Sequence, residues 1–295
     1  MKRMFAIGVA VGMGISSFGQ TFNNHTWSYN ILLGGSGLLG DLGGGVGNGT
    51  IGPKDIDLRG TRPAIGFGFT RHKRQVSLGL NLLATRLAGS DEYSQSESRE
   101  VRNLSVRTDL IELNAVGEFR PFRRTFMKRM YLTAGLGGIY YQPKAELNDE
   151  WIKLRELGTE GQLITDNTTY SKFDLVIPYG LGYKFALGES STLNLDLTMR
   201  KSFTDYLDDV SGAYPNLAAL AESNGDIAAL LSNRSGLEVE EGSLRGSSLY
   251  KDHYFVVGLK FEKTIGSKKA GCFYDDTSIK QQRRIRKHQR RMFSR

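Results

Sequence analysis

The sequence predicts an all-β protein: an eight-stranded up-and-down antiparallel transmembrane β-barrel with long external loops and a basic C-terminal tail. Three observations favour this fold: long segments of alternating apolar and polar or small residues, connections that alternate between long and short, and an export signal at the N-terminus. Strands that cross a bilayer at a tilt need about 9–11 residues, whereas typical strands have about 5–6. Because an open sheet in lipid would leave unpaired edges, we expect the strands to close.

The alternation is clearest at residues 173–203. Apolar residues occupy every second position from Phe173 to Phe185, and the pattern resumes from Leu193 to Met199 after a Gly-Glu-Ser-Ser turn. Successive side chains of a strand point to opposite faces, so each segment has one apolar face and one polar or small face. We expect this hairpin to face lipid on one side and a polar lumen on the other.

Six further segments show the same period of two, at residues 27–33, 64–70, 76–82, 111–119, 130–141 and 254–262. The glycine-rich run at 34–52 is interpreted as a flexible first loop, and residues 71–74 and 120–129 as short basic turns. Outer-membrane barrels have short periplasmic turns and longer external loops, so both termini are expected in the periplasm. Aromatic residues near strand ends suit interfacial girdles: Trp27, Tyr131, Tyr140, Tyr141, Phe173, Phe185, Tyr250 and Phe261.

The two ends of the chain differ from the segment between them. A basic start, a short apolar run and small residues after it are typical of a signal peptide, which we assign to residues 1–19. The barrel is assigned to residues 20–265 and a periplasmic tail to residues 266–295. The tail holds ten Lys or Arg against two Asp, so its net charge equals the +8 of the whole chain. The single cysteine, Cys272, excludes an internal disulfide.

The inward face of the predicted barrel carries both signs of charge. Side chains about fill an eight-stranded interior, so a wide solute pore is not expected. Unpaired charges there would be costly to desolvate, and we therefore predict a paired structural network rather than an ion pathway. Its members are Glu112, Glu118, Asp174, Asp196 and Glu262 with Lys184, Arg200 and Lys260.

No catalytic set emerges from the sequence. Asp252-His253 with Ser247 or Ser248 is the nearest arrangement, but adjacent residues on a strand point to opposite faces. The G-x-G-x-x-G string at residues 35–40 is followed by more glycines, not by the helix that a dinucleotide-binding turn needs. We predict a non-enzymatic protein without cofactors, and His72 is interpreted as a turn residue.

The last long connection, residues 204–249, is predicted to contain two short helices. They are placed at 215–223 and 226–233, with Pro215 at the first helical position and Asp226 as the cap of the second helix. Their Leu and Ala content favours a small lid over the barrel mouth; a groove for a partner helix is the alternative.

Three aspartates, Asp205, Asp208 and Asp209, cluster where this connection begins. Carboxylate oxygens suit Ca²⁺, but the spacing is not that of an EF-hand loop. Hydrogen-bonded loop structure is therefore the favoured interpretation, and a Ca²⁺ site is the alternative.

Several strings resemble one known family. Residues 203–214 (FTDYLDDVSGAY) resemble the signature of the PorG-like outer-membrane barrels of the Bacteroidota type IX secretion system, and residues 157–162 (LGTEGQ) after Trp151 resemble a second motif. Further similar strings are residues 39–43, 102–105, 143–145, Arg245-Gly246 and Asp252-His253-Tyr254, where the family more often has Trp in place of His253. The family-motif loop residues are Gly158, Thr159, Glu160, Gly161, Asp205, Tyr206, Asp208, Asp209, Gly212 and Tyr214.

The resemblance implies a non-enzymatic outer-membrane component that contacts the periplasmic ring of a secretion machine, a ring built from a lipoprotein and its partner. Outer-membrane lipid is the other expected partner, and export makes nucleic acid an unsuitable one. Clustered cations attract acidic surfaces, so the tail is the candidate docking segment. The candidate residues are Lys268, Lys269, Lys280, Arg283, Arg284, Arg286, Lys287, Arg290 and Arg291. A small channel or ligand-binding barrel, and a structural or adhesive barrel, are the alternatives.

Overall fold

The computed structural model describes residues 26–42, 58–94, 97–122, 126–165, 167–188 and 190–265. The predicted signal peptide, Cys272 and the nine candidate tail residues lie outside these ranges, as does much of the first long loop. Within the described ranges, no helix is both long and apolar enough to cross a membrane.

Eight of the nine strands in the described ranges have twelve to eighteen residues and extend beyond the alternating segments found in the sequence. The nine strands are β1 (Thr26–Leu39), β2 (Arg62–Lys73), β3 (Val76–Ser90), β4 (Ser105–Phe119), β5 (Met130–Leu147), β6 (Glu150–Lys153), β7 (Phe173–Ala186), β8 (Ser191–Ser202) and β9 (His253–Ile265). The α-helices are α1 (Glu97–Arg102), α2 (Gln162–Thr165), α3 (Leu217–Asn224) and α4 (Asp226–Ser232). Single 3₁₀ turns lie at Leu58–Gly60, Asp91–Tyr93 and Phe126–Arg129.

Eight strands close into an antiparallel barrel, as predicted. Each long strand pairs with the next long strand in the chain, and β9 pairs back with β1 from Trp27 opposite Ile265 to Leu39 opposite His253. Because β6 pairs only with the end of β5, it lies outside the ring. Short turns join strands at one end of the barrel, which we call the short-turn rim. The four long connections lie at the other end, the long-loop rim.

β1 is longer than predicted, because residues 34–39 of the glycine-rich run belong to the strand and not to the loop. The reason is the close approach of β1 to β9: a Cβ atom on Gly34 would lie 2.2 Å from the carbonyl oxygen of Val257. Glycine is therefore required for packing here, and not for flexibility. The sequence already argued against a dinucleotide-binding turn at residues 35–40, because more glycines follow instead of a helix. The location of residues 35–39 in β1 is a second reason against it.

The prediction of a basic turn at residues 71–74 was wrong. Two of the long connections also contain structure of their own: the one after β5 has a hairpin with β6, and the one after β3 contains α1. The first short turn consists of Arg74 and Gln75, with Arg74 in the left-handed region at φ 51°. His72 therefore lies inside β2, on its inward face, and is buried.

The outward face of the barrel is apolar on every strand of the ring. Large side chains there remain exposed, among them Leu33, Phe67, Leu80, Leu113, Leu136, Leu175, Leu197 and Leu259. Most predicted girdle residues share this face, but Tyr131 and Tyr141 do not: both are 1% exposed and point inward. Both occupy buried positions in the alternating burial pattern of β5, so the alternation of this strand places them on the inward face.

Candidate functional site: the barrel interior and the loop cap

The interior near the short-turn rim holds a charge network. Lys184 Nζ lies 2.8 Å from Glu118 Oε2 and 3.2 Å from Glu262 Oε2. Lys260 Nζ lies 2.9 Å from both Glu118 Oε1 and Asp196 Oδ2. The Tyr131 ring lies under both ammonium groups, at 4.9 and 5.3 Å from its centroid. The predicted pairing is therefore present, and each carboxylate contacts at least one cation.

Two further members of this network were not predicted from the sequence. His72 contacts Glu262 and also lies 2.8 Å from Ser77 Oγ and from Ser28 Oγ. Tyr131 donates its hydroxyl to Asp196. His72 was missed because the alternating segment was ended at residue 70 and His72 was assigned to the turn. With β2 extended to Lys73, the alternation places His72 on the inward face.

A second group crosses the middle of the barrel. Arg200 Nε lies 3.2 Å from Glu112 Oε2, and the same carboxylate accepts hydrogen bonds from Tyr254 and Asn114. Next to it lies a cavity of about 60 Å³, lined in part by Asn81 and Arg200. That volume is large enough to hold water. Asp174 was predicted to face a cation, but it accepts hydrogen bonds from the backbone N–H groups of residues 203 and 204 instead.

The half of the interior near the long-loop rim is apolar, which the sequence did not predict. Leu207 of the last loop is fully buried there and packs with Leu87, Leu110, Ile139 and other inward residues. Its carbonyl oxygen accepts a hydrogen bond from Thr108 of β4, and its N–H donates to Asp252. Leu207 therefore fills the barrel mouth.

Above this apolar layer, parts of all four long connections form one structure, which we call the loop cap. It comprises residues 40–42, 91–104, 148–172 and 203–252 within the described ranges. Glu160 Oε1 accepts hydrogen bonds from the N–H groups of Ser211 and Gly212, and it forms a 3.0 Å ion pair with Arg245. Gly212 in turn accepts from the N–H of Arg245. The third and fourth loops are thus joined through motif residues.

Asp209 is the second joint between these two loops. Its carboxylate accepts hydrogen bonds from Thr159 and from Tyr170, the latter at 2.5 Å. The Tyr170 ring stacks on Tyr206 at 4.3 Å. Gly161 and Tyr214 lie beside these joints: a Cβ on Gly161 would contact Pro215, and Tyr214 forms backbone hydrogen bonds with residues 242 and 243.

Asp41 and Arg102 join the first two loops to the fourth. Asp208 Oδ2 accepts from the N–H of Asp41, and Asp41 Oδ2 accepts from the N–H of Ser247. Arg102 binds Asp91 with two hydrogen bonds of 2.7 and 2.8 Å and donates to the carbonyl oxygens of Asp41 and Arg245. Arg102 and Arg245 were noted only as members of strings that resemble the family. Their hydrogen-bond partners were not predicted, because these partners come from other loops.

The aspartate cluster has the hydrogen-bonded structure that was the favoured interpretation. Asp205, Asp208 and Asp209 each serve a different part of the cap, and Asp205 accepts from Ser211 Oγ at 2.6 Å. Among the described residues, no group of three or more His, Cys, Asp or Glu is arranged to hold a metal ion. The Asp252-His253 pair is also structural, since His253 Nδ1 lies 2.8 Å from the Lys251 carbonyl oxygen.

The two helices of the last loop are present, and their buried residues Leu220, Ala228 and Leu231 pack them onto the cap. Their predicted caps were wrong. Asn216 caps α3 by accepting from the N–H of residue 219, so Pro215 precedes the helix. Gly225 occupies the cap position of α4, and Asp226 is its first residue.

Burial makes the cap carboxyl groups difficult to ionise. It raises the pKa of Asp205 and of Asp209 to about 6, although Arg245 opposes the shift at Asp209. Burial raises the pKa of Asp208 and Asp252 well above the usual range. The Asp41 carboxylate adds to the rise at Asp208, and the Asp208 carboxylate adds to the rise at Asp252. The cap therefore holds protons that the unfolded loops would release.

We predict that the cap loses stability as pH rises. A folded-state pKa above the unfolded value of about 3.9 means that the folded cap binds more protons between roughly pH 4 and 6, so stability falls with pH through that window. For Asp209 alone, opening of residues 203–214 should rise about tenfold from pH 5 to pH 7. Hydrogen exchange, corrected for its intrinsic pH dependence, measures this.

Asp209→Asn is the matched control, because asparagine tolerates the left-handed backbone at this position, where φ is 61°. The variant should lose about a factor of ten of the pH dependence. An unchanged profile, or a cap that is better protected at pH 7 than at pH 5, would contradict the prediction.

Comparisons with known proteins identify no family. No family model matches the chain, and no curated protein matches it. Solved structures similar to it include Ail, the attachment invasion locus protein of Yersinia pestis, in complex with the heparin analogue sucrose octasulfate (9% identity, TM-score 0.39, 82% of this chain and 100% of that chain). Neisserial surface protein A (5%, 0.32, 82% and 96%) and CarO2 of Acinetobacter baumannii (10%, 0.31, 82% and 100%) are also similar. These values are too low to indicate a shared function.

Proposed function

We propose that this protein is a non-enzymatic outer-membrane barrel that anchors or organises the periplasmic ring of a type IX-like secretion machine. The observation that carries the proposal is the filled interior. Charge pairs occupy the half near the short-turn rim, and Leu207 with its apolar neighbours occupies the mouth. A barrel filled in this way offers no open path to a solute, so its contribution is made by its surfaces.

The membrane placement is supported by the outer wall. Apolar side chains are exposed on every strand of the ring, in a band far larger than the patches of a few hundred Å² that soluble monomers usually expose. Closure leaves no unpaired strand edge in the ring, which is the condition for crossing a bilayer with strands.

The secretion role is supported by the resemblance and by where its strings lie. Residues 39–43, 102–105, 157–162, 203–214 and Arg245-Gly246 are far apart in the sequence, yet their described residues meet in the loop cap. The first and last strands start and end at the short-turn rim. The tail that follows β9 would therefore leave the barrel on the periplasmic side, where its cations attract acidic partners.

Deleting residues 268–295 tests the docking role. The truncated barrel should insert in the outer membrane and keep its heat stability, and co-purification with the periplasmic ring subunits should fall at least tenfold. A control variant with the same tail composition in scrambled order should keep most of the binding, because attraction depends mainly on charge. Unchanged co-purification would remove the docking role, and steady conductance in planar bilayers would favour a channel.

An adhesive barrel is the second candidate. Leu244 and Leu249 of the loop cap are 84% and 85% exposed, which is unusual for large apolar side chains and favours contact with another surface. If loop replacement changed cell adhesion and left secretion intact, this candidate would replace the first.

A further inference from the structure

A cationic cluster lies on the outer wall of the barrel near the long-loop rim. Its members are Arg86, Arg107, Lys144 and Lys153. They lie on the adjacent strands β3, β4, β5 and β6, respectively. Arg86 is in register with Asp109, and Arg107 is in register with Lys144, which is itself in register with Lys153. The four cations therefore occupy two neighbouring rows of one outward face.

One carboxylate serves most of this cluster. Asp109 accepts hydrogen bonds from Arg86 Nε at 2.8 Å and from Lys144 Nζ at 2.7 Å, and Arg107 Nε lies 3.7 Å away. Lys153 lies 3.7 Å from Glu156, which Lys172 also contacts at 3.6 Å. With Lys172 and Glu156 counted, five cations face two carboxylates, which still leaves an excess of positive charge. Arg107 Nε is shielded from solvent and has no hydrogen-bond acceptor among the described residues, while its guanidinium stacks on Trp151 at 4.6 Å.

The position of the cluster limits what can reach it. The next row toward the barrel centre is Ala84, Ile111 and Tyr140, and the row after that contains Leu82 and Leu113. A strand advances about 3.3 Å per residue, so the cations begin about 7 Å beyond the exposed apolar band. In a barrel that crosses a bilayer, this is the level of the lipid head groups, and the outward wall there contacts lipid.

We propose that Arg86, Arg107, Lys144 and Lys153 bind the phosphate of a membrane lipid head group. Arg and Lys form strong charge-assisted hydrogen bonds with phosphate, and a tryptophan beside them suits the interface. With the long loops outside the cell, the lipid is the phosphorylated glycolipid of the outer leaflet. The inference rests on the membrane placement proposed above.

Lipid capture by the full-length protein in nanodiscs tests the site. Nanodiscs of phosphatidylcholine would contain either lipid A or dephosphorylated lipid A, and native mass spectrometry would measure the lipid retained. Each cation near a membrane surface contributes about fivefold, so Arg107→Gln/Lys144→Gln should bind lipid A about 25-fold more weakly. Lys153→Gln should bind it about fivefold more weakly. Lys201→Gln, an exposed cation near the same rim on β8, should bind like wild type.

The outcomes separate this inference from the proposed function. Equal retention of lipid A and its dephosphorylated form, or equal binding by Lys201→Gln and the double variant, would overturn the lipid site. Full competition by inorganic phosphate would also overturn it, since the site would then hold a free ion. Heat-shifted mobility on a gel checks that each variant is folded. Failure of wild-type protein to enter any bilayer would instead remove the membrane placement.

Discussion

Replacing Lys184 with methionine is expected to lower the free energy of unfolding of the barrel by about 3–5 kcal/mol, because it removes one cation from a buried cluster that then holds uncompensated negative charge. Lys184 is 2% exposed and lies within 3.2 Å of both Glu118 and Glu262. Because Lys260 already pairs with Glu118 and Asp196, it cannot also neutralise the charge that the loss of Lys184 leaves in the cluster.

Equilibrium unfolding by urea in detergent micelles measures this loss. Adding Glu118→Gln to Lys184→Met restores the formal charge of the cluster, so the double variant should regain a large part of the lost stability. Lys201→Met on the outward face should have little effect. Equal stability of wild type and Lys184→Met would show that the pairing contributes nothing net.

Arg245→Met should open the loop cap and leave the barrel itself nearly as stable as before. The Arg245 side chain forms a 3.0 Å ion pair with Glu160 and donates to the carbonyl oxygens of Asp209 and Ser232. Breaking a buried ion pair costs about 3–5 kcal/mol. The cost falls on the third and fourth loops, because the residues involved lie outside the ring of strands.

Limited proteolysis and hydrogen exchange of residues 203–252 measure this opening, and urea unfolding measures the barrel. Arg234→Met is a matched control, since Arg234 is partly exposed and donates a hydrogen bond of 3.0 Å to Ser105 Oγ. It should leave the cap closed. If Arg245→Met lowered barrel stability by as much as cap stability, the two parts would unfold as one unit.

The barrel was largely predictable from the sequence because a period of two survives in every wall strand. The same alternation placed Glu118, Lys184 and Arg200 in a paired inward network, although it did not say which charges would pair. The exceptions have local causes. Gly34 lies in a glycine-rich run that is typical of a loop, but glycine is needed there because two strands approach closely. His72 was assigned to a turn, but it is separated from the two-residue turn by one residue of the strand.

The loop cap was less predictable, because its contacts join residues far apart in the chain. The sequence placed Asp205, Asp208 and Asp209 together, but alternation does not extend into loops and gave no partner for them. Leu207 looked like an ordinary loop residue, yet it fills the barrel mouth. The wall cations Arg86 and Arg107 were also missed, since charge on an outward face breaks the apolar pattern without revealing its neighbours.

The bonds of Asp41 have a consequence for how the barrel can come apart. Asp41 follows β1 and Ser247 precedes β9, and the hydrogen bond between them spans the seam where the two ends of the wall meet. A second bond, from the N–H of Asp41 to Asp208, reinforces it. Hydrogen bonds outside the wall therefore hold this seam closed. Separating the first strand from the last at that end requires these bonds to break first.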